Sequence, residues 1–535
     1  MDLHGAFHVY DTTLRDGAQQ EGLNLSVTDK LSIARHLDGL GVGFIEGGWP
    51  GANPKDTEFF RRAVGELDLR HARLAAFGST RRAGARAADD PQVAALRDSG
   101  AGVVTLVAKS HDRHVELALR TTLEENLAMV HDTVSHLRAE GQQVFLDAEH
   151  FFDGYRANRA YALEVLRTAY DAGAEVVALC DTNGGMLPDW VSDVVHDVVA
   201  TTGGRIGIHA HNDSGCAVAN SLSAINAGAT HVQGCVNGYG ERTGNADLIT
   251  VVANLELKLD HAVLPAGLLR EATRVAHAVA DVTNVPPASR QPYVGSSAFA
   301  HKAGLHASAI KVDPNLYQHM DPLGVGNDMR LLVSDMAGRA SIELKGRELG
   351  FDLSGDAPEQ RALVSRVTAR VKELEQSGYT FEAADASFEL LLVEETEGSR
   401  PSYFDVESWR VITETLEHRQ VGEEAVSEAT VKLRAAGVRY VVTGEGNGPV
   451  NALDQALRSA IGQAFPAVAR FELVDYKVRI LDAGHGTDAV TRVLIETSDG
   501  AGTWVTVGVG HNVIEASWGA LVDAFTFGLR RHHRD

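Results

Sequence analysis

Two histidines, His209 and His211, form the sharpest chemical pattern in this sequence, because they stand two positions apart in the apolar run RIGIHAH. Residues two apart on a β-strand project from the same face of the strand, so both imidazoles can reach one ion. Two histidines with a carboxylate are a recurrent ligand set for divalent metals. The same spacing also fits two polar side chains without an ion, and on this pattern alone both interpretations stay open.

Asp16 and Asn245 could supply the oxygen ligands of such a site. Asp16 lies in DTTLRDGAQQ, after the first apolar run, and Asn245 ends the glycine-rich segment GYGERTGN. A mixed nitrogen and oxygen set suits Mn, Mg, Zn or Co, and the sequence does not choose among them. Arg15, beside Asp16, could bind a substrate carboxylate or stabilise an enolate, and a salt bridge within its own loop is the alternative.

Asp147 and Glu149 form a second pair of ionisable residues, two positions apart in QVFLDAE. On a strand their carboxylates face the same side, together with Phe145. Either carboxylate could act as a base or orient a substrate, and a structural hydrogen bond is the alternative for each.

Eight short apolar runs must position these residues, and an amphipathic stretch follows each run. The runs begin near residues 7, 42, 74, 102, 143, 175, 205 and 231. This repeat predicts buried parallel strands alternating with helices. We expect them to close into a (β/α)8 TIM barrel over residues 1–285, with an open doubly wound sheet as the alternative. The ionisable residues above would then lie at the carboxyl ends of the strands, where barrel enzymes place their active sites.

The rest of the chain predicts two further parts. Residues 286–402 are interpreted as linker subdomains that contain a charged helix from about residue 357 to 376. Residues 403–535 are predicted to form an α+β domain in which a strand–strand–helix unit occurs twice. The helices of that unit are expected to start near Pro449 and Asn512.

Composition excludes several classes of protein. The net charge is −23 and there is no basic tract, so neither a nucleic acid nor an anionic membrane surface is an expected partner. No apolar run approaches the ~18 residues that a membrane-spanning helix needs. The three cysteines, Cys180, Cys216 and Cys235, form no CxxC pair, which predicts a cytoplasmic protein without a disulfide framework.

Three segments resemble the DRE-TIM metallolyase superfamily, namely RDGAQQEG, HAHND and NGYGERTGNADL. Within it they are similar to the Claisen-condensing branch, which contains the 2-isopropylmalate, homocitrate and citramalate synthases. The segments EGGWPGANPKD, FGSTRR, DAEHFFDG and FAHKAGLHASAI look most like the long-form citramalate synthases. GEGNGPVNAL resembles the start of the C-terminal allosteric domain of such synthases, so the resemblance covers essentially the whole chain.

The resemblance implies metal contacts at four residues, Asp16, His209, His211 and Asn245. It also implies that Arg15 polarises the keto oxygen of the substrate and supports the enolate. Glu149 matches an acid that helps position acetyl-CoA, and Thr182 matches a residue that binds the carboxylate of the keto acid.

Beyond the barrel, His306 and Tyr317 match linker residues implicated in proton transfer in these synthases. In the family this linker reaches the active site of the partner subunit, so the resemblance implies a homodimer. The sequence differs from the family pattern at Ser308, where other members carry an aspartate. It also has one more residue before the segment 315–317, so the identity of the general base is left open.

The implied reaction is a metal-dependent condensation of acetyl-CoA with pyruvate that gives citramalate, the first step of a threonine-independent route to isoleucine. Isoleucine or leucine is the implied effector. Phe77 and Leu106 could line the pocket for the acceptor or simply pack in the core.

Three alternatives remain at this stage. The first is a 2-isopropylmalate or homocitrate synthase, with 2-oxoisovalerate or 2-oxoglutarate as acceptor. The second is an aldolase-type lyase that shares the barrel, although the acyl-CoA lyases carry a cysteine in the glycine loop where this chain has Glu241 and Arg242. The third is an inactive amino-acid sensor, which the complete set of metal positions disfavours.

Overall fold

A computed structural model describes residues 7–334, 338–353, 355, 357–413, 426–481 and 489–534. Parts of the predicted linker and C-terminal domain, including residues 414–425 and 482–488, lie outside the described residues. The chain divides into two compact units. The first comprises residues 1–299 and 320–328, and the second comprises residues 300–319 and 329–535.

Eight parallel strands form a closed barrel in the first unit. The strands are β1 His8–Asp11, β2 Phe44–Gly48, β3 Arg73–Ser79, β4 Val103–Lys109, β5 Gln143–Glu149, β6 Val176–Asp181, β7 Ile206–Ala210 and β8 His231–Gly234. β1 pairs with both β2 and β8, so the sheet has no free edge. The predicted TIM barrel is confirmed and the open sheet is excluded, with every strand beginning within two residues of its predicted start.

Helices separate the strands and cover the barrel. They are α1 Val27–Leu40, α2 Pro54–Glu66, α3 Pro91–Arg97, α4 Asp112–His114, α5 Leu123–Ala139, α6 Phe151–Ala157, α7 Arg159–Asp171, α8 Pro188–Thr202, α9 Ala217–Asn226, α10 Leu248–Lys258 and α11 Ala272–Thr283. Local sequence sets their ends. At the start of α1, Ser26 and Asp29 form a reciprocal capping box, and Gly41 ends the helix in the left-handed conformation that glycine adopts without strain.

Aromatic and apolar side chains fill the lumen of the barrel, so it is a packed core and not a pore. Six fully buried residues form this lumen cluster, namely Tyr10, Phe44, Ala75, Val103, Phe145 and Val176. A larger apolar layer lies between the strands and the surrounding helices. The polar residues of the site are therefore held on a rigid frame.

The second unit begins with a small parallel pair of strands, β9 Ala300–His301 and β10 Arg330–Leu331. Its first helices are α12 Gly304–Ile310, α13 Arg339–Glu348, α14 Pro358–Gln376 and α15 Asp385–Glu397. α14 confirms the helix predicted near residues 357–376. Val364, Val367 and Val371 repeat at helical spacing along one face of α14 and are buried in the core of this region.

The C-terminal part contains two three-stranded antiparallel sheets. β11 Phe404–Thr413, β12 Ser427–Ala435 and β13 Val438–Gly446 precede α16 Pro449–Ile461. β14 Glu472–Ile480, β15 Thr491–Ser498 and β16 Thr503–Gly510 precede α17 Val513–Arg534. The two helices start where they were predicted. Among the described residues, no helix combines the length and apolar character that crossing a bilayer requires.

Each repeat of this part has one strand more than the predicted strand–strand–helix unit. The segment EATVKLRAAGVRYVVTG is a single strand of the predicted unit, but in the structure it folds as the hairpin of β12 and β13. Ala436 and Gly437 turn the chain with φ values of 47° and 78°, and such left-handed pairs are typical of two-residue hairpin turns. β15 and β16 also form a hairpin, and the four-residue turn between them, residues 499–502, contains Gly500 at φ 81°.

Candidate metal centre and active site

Asp16, His209 and His211 converge at the carboxyl end of the barrel. Asp16 Oδ2 lies 3.2 Å from His209 Nε2 and 3.9 Å from His211 Nε2. The two Nε2 atoms are 3.3 Å apart. All three side chains are buried. Three potential ligand atoms in one small volume are the arrangement that the spacing of the two histidines predicts when a cation is bound between them.

Barrel closure explains this convergence. Asp16 follows β1, and both histidines lie at the end of β7, with His209 inside the strand and His211 just after it. β8 pairs with β7 on one side and with β1 on the other. Side chains at the ends of these neighbouring strands therefore meet at one rim, although they come from opposite ends of the barrel sequence.

Asn245 lies beside His211 and offers an unused oxygen. The two residues form an isolated antiparallel bridge, so the glycine-rich loop folds back against the end of β7. The side-chain amide nitrogen of Asn245 donates to the carbonyl of Tyr239 at 3.0 Å. Its Oδ1 is buried without a hydrogen-bond partner among the described residues. Gly240, at φ 144°, leaves the space that this amide occupies.

These four residues fit a divalent cation. Metal–ligand bonds of about 2.0–2.2 Å place neighbouring ligand atoms of one ion about 3 Å apart. The separations of 3.2 and 3.3 Å match that spacing, and the orphaned oxygen of Asn245 gains a partner if a cation binds there. The donor set of imidazole nitrogens with carboxylate and amide oxygens suits the metals that the sequence allows.

The protein environment keeps Asp16 and His211 in the protonation states in which they can bind a metal ion. Burial raises the pKa of Asp16, but Arg15 and the two histidines lower it more strongly, so this carboxyl stays ionised. Burial and the neighbouring His209 lower the pKa of His211 to about 4, which keeps it neutral. For His209, burial lowers the pKa but Asp16 raises it further, so a proton competes with a cation for Nε2.

Arg15 is locked in place by Glu46, a residue that the sequence analysis missed. The Arg15 Nε atom donates to Glu46 Oε1 at 2.6 Å, and the guanidinium also lies 3.3 Å from Asp16. Tyr10 donates its hydroxyl to the other oxygen of Glu46 at 2.6 Å. The guanidinium covers the ring of Phe77 at 3.9 Å from its centroid. The positively charged Arg15 side chain is therefore held in one orientation before a substrate binds. The alternative salt bridge within its own loop, between Arg15 and Asp16, is present as well.

An open cavity of about 670 Å³ adjoins these residues. Its walls include Arg15, Asp16, Phe77, Glu149, Thr182 and His211, which brings five of the predicted site residues to one cavity. Leu106 is fully buried and does not belong to this lining, so core packing is its role. A cavity of this volume can enclose a small molecule or one end of a larger one.

Glu149 and Thr182 lie on neighbouring walls of the cavity. Glu149 forms an ion pair with Lys109, a residue at the end of β4 that the sequence analysis did not select. The Thr182 hydroxyl accepts a hydrogen bond from the backbone N–H of His150 at 2.8 Å. Arg242 donates to the Thr182 carbonyl at 2.8 Å and pairs with Asp213, which ties the glycine-rich loop to the end of β6.

Asp147 does not reach the lining of this cavity. Its carboxylate is buried and accepts a hydrogen bond from the side-chain amide of Gln233 at 2.8 Å. Burial and the nearby Glu46 raise the pKa of Asp147 to about 7. The sequence analysis predicted Asp147 as a substrate contact with a structural hydrogen bond as the alternative, and its described contact is a hydrogen bond that leads through Gln233 to His209.

His306 and Tyr317 lie in the second unit, where α12 carries His306. Their rings stack with centroids 4.1 Å apart and an interplanar angle of 28°. His301 contacts the edge of His306 at 5.8 Å between centroids. Within the second unit, the two residues predicted from the linker segment, His306 and Tyr317, are therefore in direct contact.

Two of the missed residues left a signal in the sequence. Glu46 is an ionisable residue inside the second run, FIEGG, and Lys109 ends the fourth run, VVTLVAK. A search of all eight runs for ionisable residues within them and at their ends would have found both. Gln233 left no such signal, because it is an uncharged residue inside β8.

Three family models match the chain. The HMGL-like model matches residues 6–277, the model of the homocitrate synthase post-HMGL domain matches residues 293–378, and the LeuA allosteric (dimerisation) domain matches residues 382–529. The first match coincides with the barrel and the third includes both three-stranded sheets.

Curated relatives align with almost the entire chain. An (R)-citramalate synthase from Streptomyces coelicolor is 69% identical over 99% of this chain and 98% of its own. An (R)-citramalate synthase from Synechocystis sp. is 49% identical over 98% of this chain and 96% of its own. A probable 2-isopropylmalate synthase from Methanopyrus kandleri is 32% identical over 98% of this chain and 97% of its own.

We expect the variant His209→Ala to lose its divalent metal, because it lacks one of the two nitrogen ligands. Its Kd for Mn²⁺ or Co²⁺, measured by equilibrium dialysis of chelator-treated protein, should rise at least about 100-fold, since even residues that only support a ligand contribute 10–100-fold. His196→Ala removes an exposed histidine of α8 and serves as the matched control. Equal metal retention by both variants would contradict this site.

Proposed function

The chain belongs to the citramalate synthase family, within the larger HMGL-like family, and we propose that it is an (R)-citramalate synthase. The proposed reaction condenses acetyl-CoA with pyruvate and hydrolyses the thioester, giving citramalate and CoA. The observation that carries the proposal is the 69% identity to one such synthase over the whole chain. The complete metal and arginine site in the barrel supports it.

We propose Asp16, His209 and His211 as metal ligands, with Asn245 as the fourth contact from the protein. A bound divalent cation would act as a Lewis acid toward the carbonyl of the keto acid. The donor set is compatible with Mn, Mg, Zn or Co. The buried, mutually fixed ligands let the protein orient the acceptor without rearrangement of its side chains.

Arg15 is proposed to stabilise negative charge on the acceptor oxygen as the new carbon–carbon bond forms. Its bond to Glu46 and its contact with Phe77 fix the guanidinium before the substrate binds. A preorganised cation of this kind lowers the energy of a transition state in which charge develops on oxygen. Thr182, at the end of β6, is proposed to bind the carboxylate of pyruvate.

Glu149 is proposed to help position acetyl-CoA for removal of a methyl proton. It lines the cavity and its carboxylate pairs with Lys109, which fixes its position. His306 and Tyr317, which stack on each other, are proposed to take part in proton transfer at the active site of the partner subunit. Water then cleaves the thioester, which makes the condensation effectively irreversible.

The chain is proposed to act as a homodimer. The matched LeuA model describes a dimerisation domain, and the strands β13 and β14 carry exposed apolar side chains. These are Val438, Val441, Val474, Val478 and Ile480, each at least 46% exposed. Apolar residues concentrated on exposed strands are typical of surfaces that bind another chain, and a second copy of this chain is the proposed occupant.

We also propose that three parts of the chain have separate functions. Residues 1–285 form the catalytic domain, residues 286–402 form linker subdomains, and residues 403–535 form an allosteric domain. The match to a LeuA allosteric domain supports control by an amino acid. Isoleucine is the proposed effector and leucine the alternative, because citramalate formation would open a route to isoleucine.

A keto-acid panel tests the choice of acceptor. The rate is measured from the release of the CoA thiol. The kcat/KM for pyruvate should exceed that for 2-oxoisovalerate and 2-oxoglutarate by at least about 10-fold. The reason is that a difference of one methylene between two substrates changes kcat/KM by about 10–200-fold in a closely fitting pocket. The product from pyruvate should be (R)-citramalate. A preference for 2-oxoisovalerate would identify a 2-isopropylmalate synthase instead.

Deletion of residues 403–535 tests the regulatory assignment. The shortened chain should still form citramalate, and isoleucine should no longer lower its rate, because the proposed effector site lies in the deleted part. The melting temperature and the pyruvate KM of the shortened chain serve as controls for folding. Unchanged inhibition by isoleucine would show that the effector binds elsewhere.

A further inference from the structure

Gln233 connects the metal centre with the buried interior of the barrel. It lies in β8, directly opposite His209 in the pairing of β7 with β8, and it is fully buried. Its side chain has three polar neighbours. His209 Nδ1 lies 2.9 Å from Oε1, Asp147 Oδ1 lies 2.8 Å from Nε2, and His231 Nε2 lies 3.3 Å from the same Nε2.

When Asp147 is ionised, these contacts allow one consistent arrangement of protons. A carboxylate only accepts hydrogen bonds, so Asp147 requires the NH₂ group of the amide on its side. The second N–H of that group then points to the ring nitrogen of His231. This leaves Oε1 for His209, and an oxygen can accept only if His209 carries its proton on Nδ1. The lone pair of His209 is thereby placed on Nε2, the atom that faces Asp16 and His211.

We propose that Gln233, oriented by Asp147, is a positioning residue that holds His209 in the tautomer and ring orientation needed to bind the cation. Metal-binding histidines usually donate their other ring N–H to a fixed acceptor, which sets the tautomer and strengthens the ligand. The proposal rests on the proposed metal-dependent function. It gives Asp147 a role through Gln233 and not as a direct contact of the substrate.

The position of Gln233 argues against a merely structural role. Two residues earlier on the same strand, His231 packs against the rings of Tyr10 and Phe145, which belong to the apolar lumen cluster. An apolar side chain at position 233 could extend this cluster, whereas a buried amide costs free energy unless all its polar atoms are bonded. The amide of Gln233 is bonded at both ends, and one bond reaches a proposed metal ligand.

The test compares Gln233→Met with wild type after chelator treatment. Methionine keeps the approximate length and volume of the side chain, but its thioether sulfur is only a weak acceptor for the hydrogen bond from His209. The Kd for Co²⁺, measured by dialysis, should rise about 10–100-fold, as expected for the loss of a residue that supports a metal ligand. The d–d absorption of the bound Co²⁺ should also change. Asn220→Leu, which removes a buried amide bonded to the Met186 carbonyl, is the matched control and should change neither value.

A second variant and a double mutant keep the test decisive. Gln233→Glu retains an acceptor for His209 but places a second carboxyl against Asp147 in place of the amide donor. Because the acceptor for His209 remains, the Kd of this variant should rise less than that of Gln233→Met. In a His209→Ala background, Gln233→Met should have no further effect, because the two changes act through the same ligand.

The outcomes separate this inference from the proposed function. Wild-type affinity and an unchanged Co²⁺ spectrum in Gln233→Met would overturn the inference while the synthase assignment stands. An additional loss of affinity in the double mutant would overturn it as well, because Gln233 would then act independently of His209. Wild-type protein that neither binds Co²⁺ nor forms citramalate would instead refute the proposed function.

Discussion

Closure of the barrel is the constraint on which the candidate metal centre depends. β1 must pair with β8, and β8 must pair with β7, before Asp16 can meet His209 and His211. The ligands come from opposite ends of the barrel sequence, so no local segment can form the site alone. The packed lumen below them, with Tyr10, Phe44 and Phe145 almost completely buried, holds the strand ends in position.

A network of buried charges surrounds this centre and makes it rigid. Arg15 lies between Asp16 and Glu46, and Tyr10 donates to Glu46 from the lumen side. Buried charges are tolerated when each has a partner, and removal of one partner leaves an uncompensated charge that is strongly destabilising. The network therefore serves folding and function together, because the contacts that neutralise the buried groups also fix their direction toward the cavity.

The sequence predicted the features that apolar runs and strand alternation determine, and it missed short turns within apolar stretches and contacts made across paired strands. The strand starts and the barrel follow from the apolar runs, and the shared direction of His209 and His211 follows from their spacing, since alternation on a strand fixes side-chain direction. The extra strand before each C-terminal helix was missed because the turns at Ala436-Gly437 and Gly500 interrupt otherwise continuous apolar stretches. Gln233 could not be selected, because only strand pairing places this uncharged residue against His209.

Location of the bound cation by anomalous diffraction is the most direct test of the account. Crystals grown with Mn²⁺ and pyruvate, measured at the manganese absorption edge, should show one strong peak within about 2.3 Å of Asp16 Oδ2 and the Nε2 atoms of both histidines. A well-ordered structure with the manganese peak elsewhere, or with these three side chains pointing apart, would contradict the account.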